Sequence, residues 1–223
     1  MKSGFMISAL CIASLAVVGC SSQSAQPDHY SGYLKDYSRL KEEKSPSGVE
    51  VMRWIDPKLD VGKYTSAYIE PTQFYPAPQP TVKIPQATLQ GITHYYDQAL
   101  KRELSKSLPL ANGPGPGVVV VRAAITAVSS KTESLKPYEL IPVALVAAAV
   151  STASGIRDQE TTLGTEAVFL DGQNQAVLAE VVRQGTGKPL ENDSQVMQPS
   201  DVKNVIDGWA SDMHQSYLKL KSR

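Results

Sequence analysis

The two cysteines of this chain both fall before its folded part begins. Cys11 lies inside an apolar run from Phe5 to Val18, and Cys20 follows that run across Gly19. Lys2 is the one charged residue ahead of Cys20. A basic start, a short apolar core and a small residue at its end make the layout of a secretory signal. The run of 14 residues is too short for a spanning helix, which needs about 20. Once residues 1–19 are cut away, the rest of the chain has no second thiol. It therefore has no disulfide, no thiol nucleophile and no cysteine metal site. Residues 30–223 must be held together by an apolar core alone, and a chain of this length can bury one. The apolar fraction of 42% and charged fraction of 20% are those of a globular protein.

The tetrad Val17-Val18-Gly19-Cys20 resembles the bacterial lipobox. The resemblance implies cleavage between Gly19 and Cys20, a diacylglycerol on the Cys20 thiol and an acylated amine. One buried chain gives marginal membrane binding and two or more hold firmly, at roughly 0.8 kcal/mol per methylene. Residues 20–29 then carry the lipid and form a small, polar tether. In Gram-negative lipoproteins an aspartate directly after the lipidated cysteine retains the protein at the inner membrane. Ser21 stands there in this chain, so the expected location is the outer membrane, facing the periplasm.

Charge narrows the partners. The 22 Lys and Arg balance 22 Asp and Glu, and loss of Lys2 leaves a single negative charge. A neutral chain has no electrostatic footprint for nucleic acid. The expected partners are a membrane, reached through Cys20, and a protein or a second copy of the chain.

Along the domain, Val49–Ile55 and Tyr64–Glu70 read as strands, and Lys41-Glu42-Glu43-Lys44 as a solvated charge cluster. Residues 74–85, with Pro76, Pro78, Pro80 and Pro85, read as an extended connector. Leu89, Ile92, Tyr96, Leu100 and Leu104 recur at the spacing of one helix face and predict a helix over 86–108, closed by Pro109. Val118–Val128 is a central strand whose odd positions, from Val119 to Ala127, should meet the helices. Thr161–Leu170 and Gln175–Gln184 predict a hairpin around Asp171-Gly172-Gln173-Asn174. Ser200 is the expected cap of a last helix reaching about residue 220, with the stripe Val202, Val205, Ile206, Trp209, Met213, Tyr217 and Leu220. The fold class is α+β. It has a mixed, mainly antiparallel sheet of four or five strands, with the helices at 86–108 and 199–220 packed on one face.

The decapeptide Ser31-Gly-Tyr-Leu-Lys-Asp-Tyr-Ser-Arg-Leu40 resembles the opening motif of a bacterial lipoprotein family, domain of unknown function 3313. The pattern continues with Arg53-Trp54, the tyrosine-containing strand from Tyr64 to Pro71, and Thr165-Glu166 with Asp171-Gly172. The resemblance spans nearly the whole mature chain and implies no catalytic residues.

Two features stand out. Ile141 to Val150 is an apolar run that is either a short buried helix or an exposed contact for a partner, made by Ile141, Val143, Leu145, Val146 and Val150. Glu166 and Glu180 are acids set among apolar strand residues. As a pair of carboxylates they are the candidates for an envelope-polymer hydrolase. A four-residue loop at 171–174 would set Glu166 opposite Ala179 and turn the two carboxylates to opposite faces. In the alternative they pair with Arg122, Arg183 or a helix group. His29, His94 and His214 lack a second ligand at metal spacing, so no metal or cofactor is expected. No phosphate-cradling or nucleophile-elbow glycine pattern occurs. The sequence thus favours a tethered, non-enzymatic binding or assembly module.

Overall fold

A computed structural model describes residues 30–131, 160–192 and 194–222. The signal, Gly19, Cys20, the tether with His29, and the apolar run from Ile141 to Val150 lie outside the described residues.

Seven strands form one sheet: β1 (Lys41–Lys44), β2 (Glu50–Ile55), β3 (Ser66–Ile69), β4 (Gln73–Phe74), β5 (Val118–Lys131), β6 (Glu160–Asp171) and β7 (Val177–Thr186). The order is β1-β2-β7-β6-β5-β3, with β4 also on β5. The pairs of β5, β6, β7, β2 and β1 are antiparallel, whereas β3 and β4 run parallel to β5. The sheet is therefore mixed and mainly antiparallel, but larger than the four or five strands expected. β1 is the charged Lys41–Lys44 cluster. All four of its residues are exposed, so no alternation of apolar and polar residues marks it as a strand. β4 is only two residues long and sits among prolines.

Helix α1 spans Gln86–Leu104 and helix α2 spans Lys203–Lys221. After α1, residues 105–108 continue as hydrogen-bonded turns up to Pro109. Ahead of α2, Pro199–Val202 makes a 3-10 turn. Its cap is Gln198 rather than Ser200: the Gln198 N–H donates to Asp201 Oδ2 at 2.8 Å, and the Gln198 side chain takes the reciprocal bond. Ile92 and Leu100 of α1 and Ile206 and Trp209 of α2 share one buried cluster with Val121, Ala123 and Ile125 of β5 and Ala167 of β6. Ala127 does not join them. A bulge between Ile125 and Ala127 shifts the register, and Val128 takes the inward position instead.

A second, smaller cluster occupies the other face. Leu34 and Leu40 meet Val182 there, with Met52, Trp54 and Val168 packed around them. Each sheet face thus carries a packed cluster, one of them built on the decapeptide at 31–40.

Candidate functional site

Residues 30–40 form a strap, fixed by polar groups rather than by regular structure. Gly32 has φ +86°, a turn that favours glycine. The Tyr37 hydroxyl accepts the N–H groups of Gly32 and Leu34, at 2.9 and 3.0 Å, and so closes the strap on itself. It then donates to Oε2 of Glu166 at 2.6 Å. Oε1 of Glu166 accepts the Ser31 N–H at 2.9 Å, and Oε2 lies 3.4 Å from the Leu34 N–H. Tyr30 stacks on Tyr37, with ring centroids 4.2 Å apart. Burial, and then the Glu166 carboxylate, push the Tyr37 phenol far above its usual range. At the strap's other end Arg39 Nε donates to Glu180 Oε2 at 2.8 Å, and its guanidinium lies 3.7 Å from the centre of the Trp54 ring.

The register of the hairpin differs from the expected one. Glu166 lies opposite Val182 and Val168 opposite Glu180, so both carboxylates point to the strap face. The turn runs over residues 172–176, longer than the expected loop, and a bulge falls between Phe169 and Leu170. Asp171 organises that turn by accepting the N–H groups of Gln173 and Asn174. The expected partners differ as well. Arg122 is held by Glu70, through Nε at 2.5 Å and Nη2 at 2.8 Å. Arg183 pairs with Asp212 of α2 at 3.2 Å. Glu166 and Glu180 are 0% and 2% exposed, respectively. Each is engaged by the strap, Glu166 through Tyr37 and Glu180 through Arg39, although Glu180 also borders the cavity on the other side of the sheet.

The open concavity lies on the opposite face. A cavity of about 130 Å³ sits between the helices and the sheet. Its floor carries Ala123, Ala167 and Ala179, three small side chains on adjacent strands. Leu100 and Leu104 of α1 and Met213 and Tyr217 of α2 form its roof. Phe169 and Val181 lie on the central strands β6 and β7, yet are only partly buried. The helices thus leave part of the sheet's apolar face uncovered. Arg183 lines the buried end, where burial pulls its guanidinium below the usual value and Asp212 works against that shift.

Arg53, Ile55, Ser216 and Leu220 are shared with a neighbouring polar groove of about 530 Å³. That groove adds Lys44 and Lys219, and no acidic residue lines it among the described residues. Arg53 pairs with Glu43 at its edge and donates to Ser216 Oγ at 3.3 Å.

Other candidates stay apart. His94 bonds Gln98 in its own helix, and His214 bonds Ser107. Among the described residues no group of three or more His, Cys, Asp or Glu is placed to hold a metal ion. Tyr37 and Arg39 stand within the motif, but nothing in their spacing points to a role. The alanine floor has one signal in the sequence, the small residues in the middle of apolar strands.

The family model described as "Protein of unknown function (DUF3313)" matches residues 29–213, from the strap into α2. The chain is 41% identical over 206 residues to "Uncharacterized lipoprotein YdcL" of Escherichia coli strain K12, covering 92% of each protein. The protein of that name from E. coli O157:H7 matches to the same extent. Among solved structures, the PelC dodecamer from Paraburkholderia phytofirmans aligns with a TM-score of 0.38 at 15% identity, over 73% of this chain and 95% of that one. A putative neuraminyllactose-binding hemagglutinin homolog from Helicobacter pylori aligns with a TM-score of 0.36 at 8% identity, over 73% and 84%. With the strap, the Arg53-Trp54 pair and the Glu166 hairpin inside the matched span, the chain belongs to the DUF3313 lipoprotein family.

Proposed function

We propose that this protein is a bacterial envelope lipoprotein anchored by acyl groups, palmitate among them, on Cys20. It resides at the outer membrane, faces the periplasm and works as a tethered, non-enzymatic binding module. The tetrad ending at Cys20, Ser21 after it, and the lipoprotein relatives support the anchor and its location. The observation that carries the binding role is the cavity beneath α1 and α2, which leaves Phe169 and Val181 partly bare in the middle of the sheet. Apolar surface left open in an otherwise covered sheet favours an occupant. Closure of the Glu166–Glu180 pair under the strap supports binding over hydrolysis.

Two measurements test this. Palmitate labelling and membrane fractionation should show label and sedimentation that Cys20→Ser removes; an unlabelled protein overturns the anchor. A photoreactive amino acid in place of Ala179, in cells, should yield an adduct with a lipid or a protein. Irradiation that leaves only free protein overturns the binding role.

A further inference from the structure

We propose that the cavity beneath the helices takes the acyl chain of an anionic single-chain lipid, with the head group in the adjoining basic groove. This rests on the reading of the protein as a tethered binding module and names that module's ligand class. Three observations converge. First, the cavity is apolar and narrow: an empty apolar space of this order, about 150 Å³, holds a benzene-sized group, so the 130 Å³ here takes one segment of an acyl chain and its open side lets the rest run on. The alanine floor keeps the passage clear, because a larger residue at Ala123, Ala167 or Ala179 would stand in it. Second, the cavity adjoins the polar groove. It runs through Arg53, Ile55, Ser216 and Leu220 into the second groove, so one elongated molecule can occupy both. Third, the two compartments differ in chemistry as an amphiphile's two ends do. One is lined chiefly by leucine, valine, alanine and aromatic side chains, its acid Glu180 being paired with Arg39, and the other carries Lys44, Lys219 and the shared Arg53. Glu43 offsets Arg53 at the rim, and Asp212 offsets Arg183 at the buried end. Lys44 and Lys219 supply the net positive charge that an anionic head group needs.

The test uses the full lipidated protein reconstituted in phosphatidylcholine vesicles. The probe is a lysophosphatidylglycerol whose palmitoyl chain carries a diazirine, beside the corresponding lysophosphatidylcholine. Irradiation should attach the anionic probe to the peptides bearing Met213 and Tyr217, at least threefold above the zwitterionic one. Ala179→Phe should lower that adduct at least fivefold. Met213→Trp serves as a second block in case the first variant does not fold, folding being read by circular dichroism. Lys44→Glu with Lys219→Glu should erase the preference for the anionic probe and leave the remaining adduct in place.

Equal labelling of strap and cavity peptides overturns the proposal, as does an adduct that neither blocking variant reduces. If inorganic phosphate at 10-fold excess removes the anionic preference, the groove binds a free anion and the head-group assignment is overturned. A cross-link to a second copy or another protein through position 179, with no lipid adduct, overturns the acyl ligand and leaves the binding module standing. Loss of every adduct at that position overturns both.

Discussion

The hydroxyl of Tyr37 donates a 2.6 Å hydrogen bond to Oε2 of Glu166, a carboxylate 129 positions further along the chain and fully buried. This one bond joins the family's opening motif to the middle of its sheet. Tyr37→Phe removes the donor and leaves a buried carboxylate short of a partner. The expected cost is about 1–2 kcal/mol in urea unfolding. Glu166→Gln puts an amide donor where N–H and O–H donors converge, so its cost should be the larger of the two. Equal stability of both variants with the parent would remove the strap's claim on Glu166.

Arg39 is partly exposed, whereas Glu180, its partner, is 2% exposed. Removing the arginine strands a buried charge; restoring an apolar pair at both positions does not. Arg39→Ala should destabilise by about 2–3 kcal/mol, below the usual figure for a fully buried pair because water still reaches the guanidinium. Arg39→Leu combined with Glu180→Leu should recover most of that loss. A double-mutant cycle in urea reads both outcomes, and additive losses would count against a coupled pair.

Gly172 is held by close packing against backbone. Its φ is not in the left-handed region, so turn geometry is not the reason for a glycine here. A Cβ there would lie 2.6 Å from the Gly115 carbonyl oxygen and 2.7 Å from that of Val118. Backbone cannot step aside as a side chain can, so Gly172→Ala should cost about 2–3 kcal/mol. Gly113→Ala, where nothing lies within 4 Å, is the control and should stay within about 0.5 kcal/mol. Thermal unfolding followed by circular dichroism compares them.

Tyr64 and Asp171 set a pH dependence at the same corner. The Tyr64 hydroxyl donates to Asp171 Oδ2 at 2.9 Å. Burial first, then this bond, push the phenol up to about 12 from its ordinary 10.0. The unfolded chain therefore loses the proton first as pH rises. Stability from this group is whole below pH 10 and is lost as pH climbs towards about 12. Asp171 is shifted down, chiefly by the Gln173 N–H and then by Asn174 and Tyr64. Its contribution is present above its ordinary 3.8 and is lost as pH falls further. Tyr64→Phe should flatten the stability profile between pH 10 and 12; a slope unchanged from the parent would refute the shift.

The strongly periodic elements were legible in the sequence. The stripe from Leu89 to Leu104 marked α1, and the one from Val202 to Leu220 marked the 3-10 turn and α2, because one face of each is apolar. The central strand showed itself by its β-branched run. β1 was hidden because an edge strand with every residue exposed leaves no hydrophobic trace. The hairpin register was hidden for a different reason: the five-residue turn and the bulge at Phe169 each move the pairing, and neither has a composition of its own. That register governs the site, since the expected pairing of Glu166 with Ala179 would send Glu166 and Glu180 to opposite faces. The acids were visible as unusual; their partners were not, because Tyr37 and Arg39 lie more than a hundred residues away.

Ser31 is the first described residue whose backbone bonds to the sheet, at Glu166. Ten residues lie between it and Cys20, and the eleven steps along the chain stretch to about 40 Å at most. A lipid on Cys20 would therefore moor the body by a short painter, whatever shape the intervening residues take. The molecule could patrol only a thin layer above its bilayer, and whatever it meets must come within that layer.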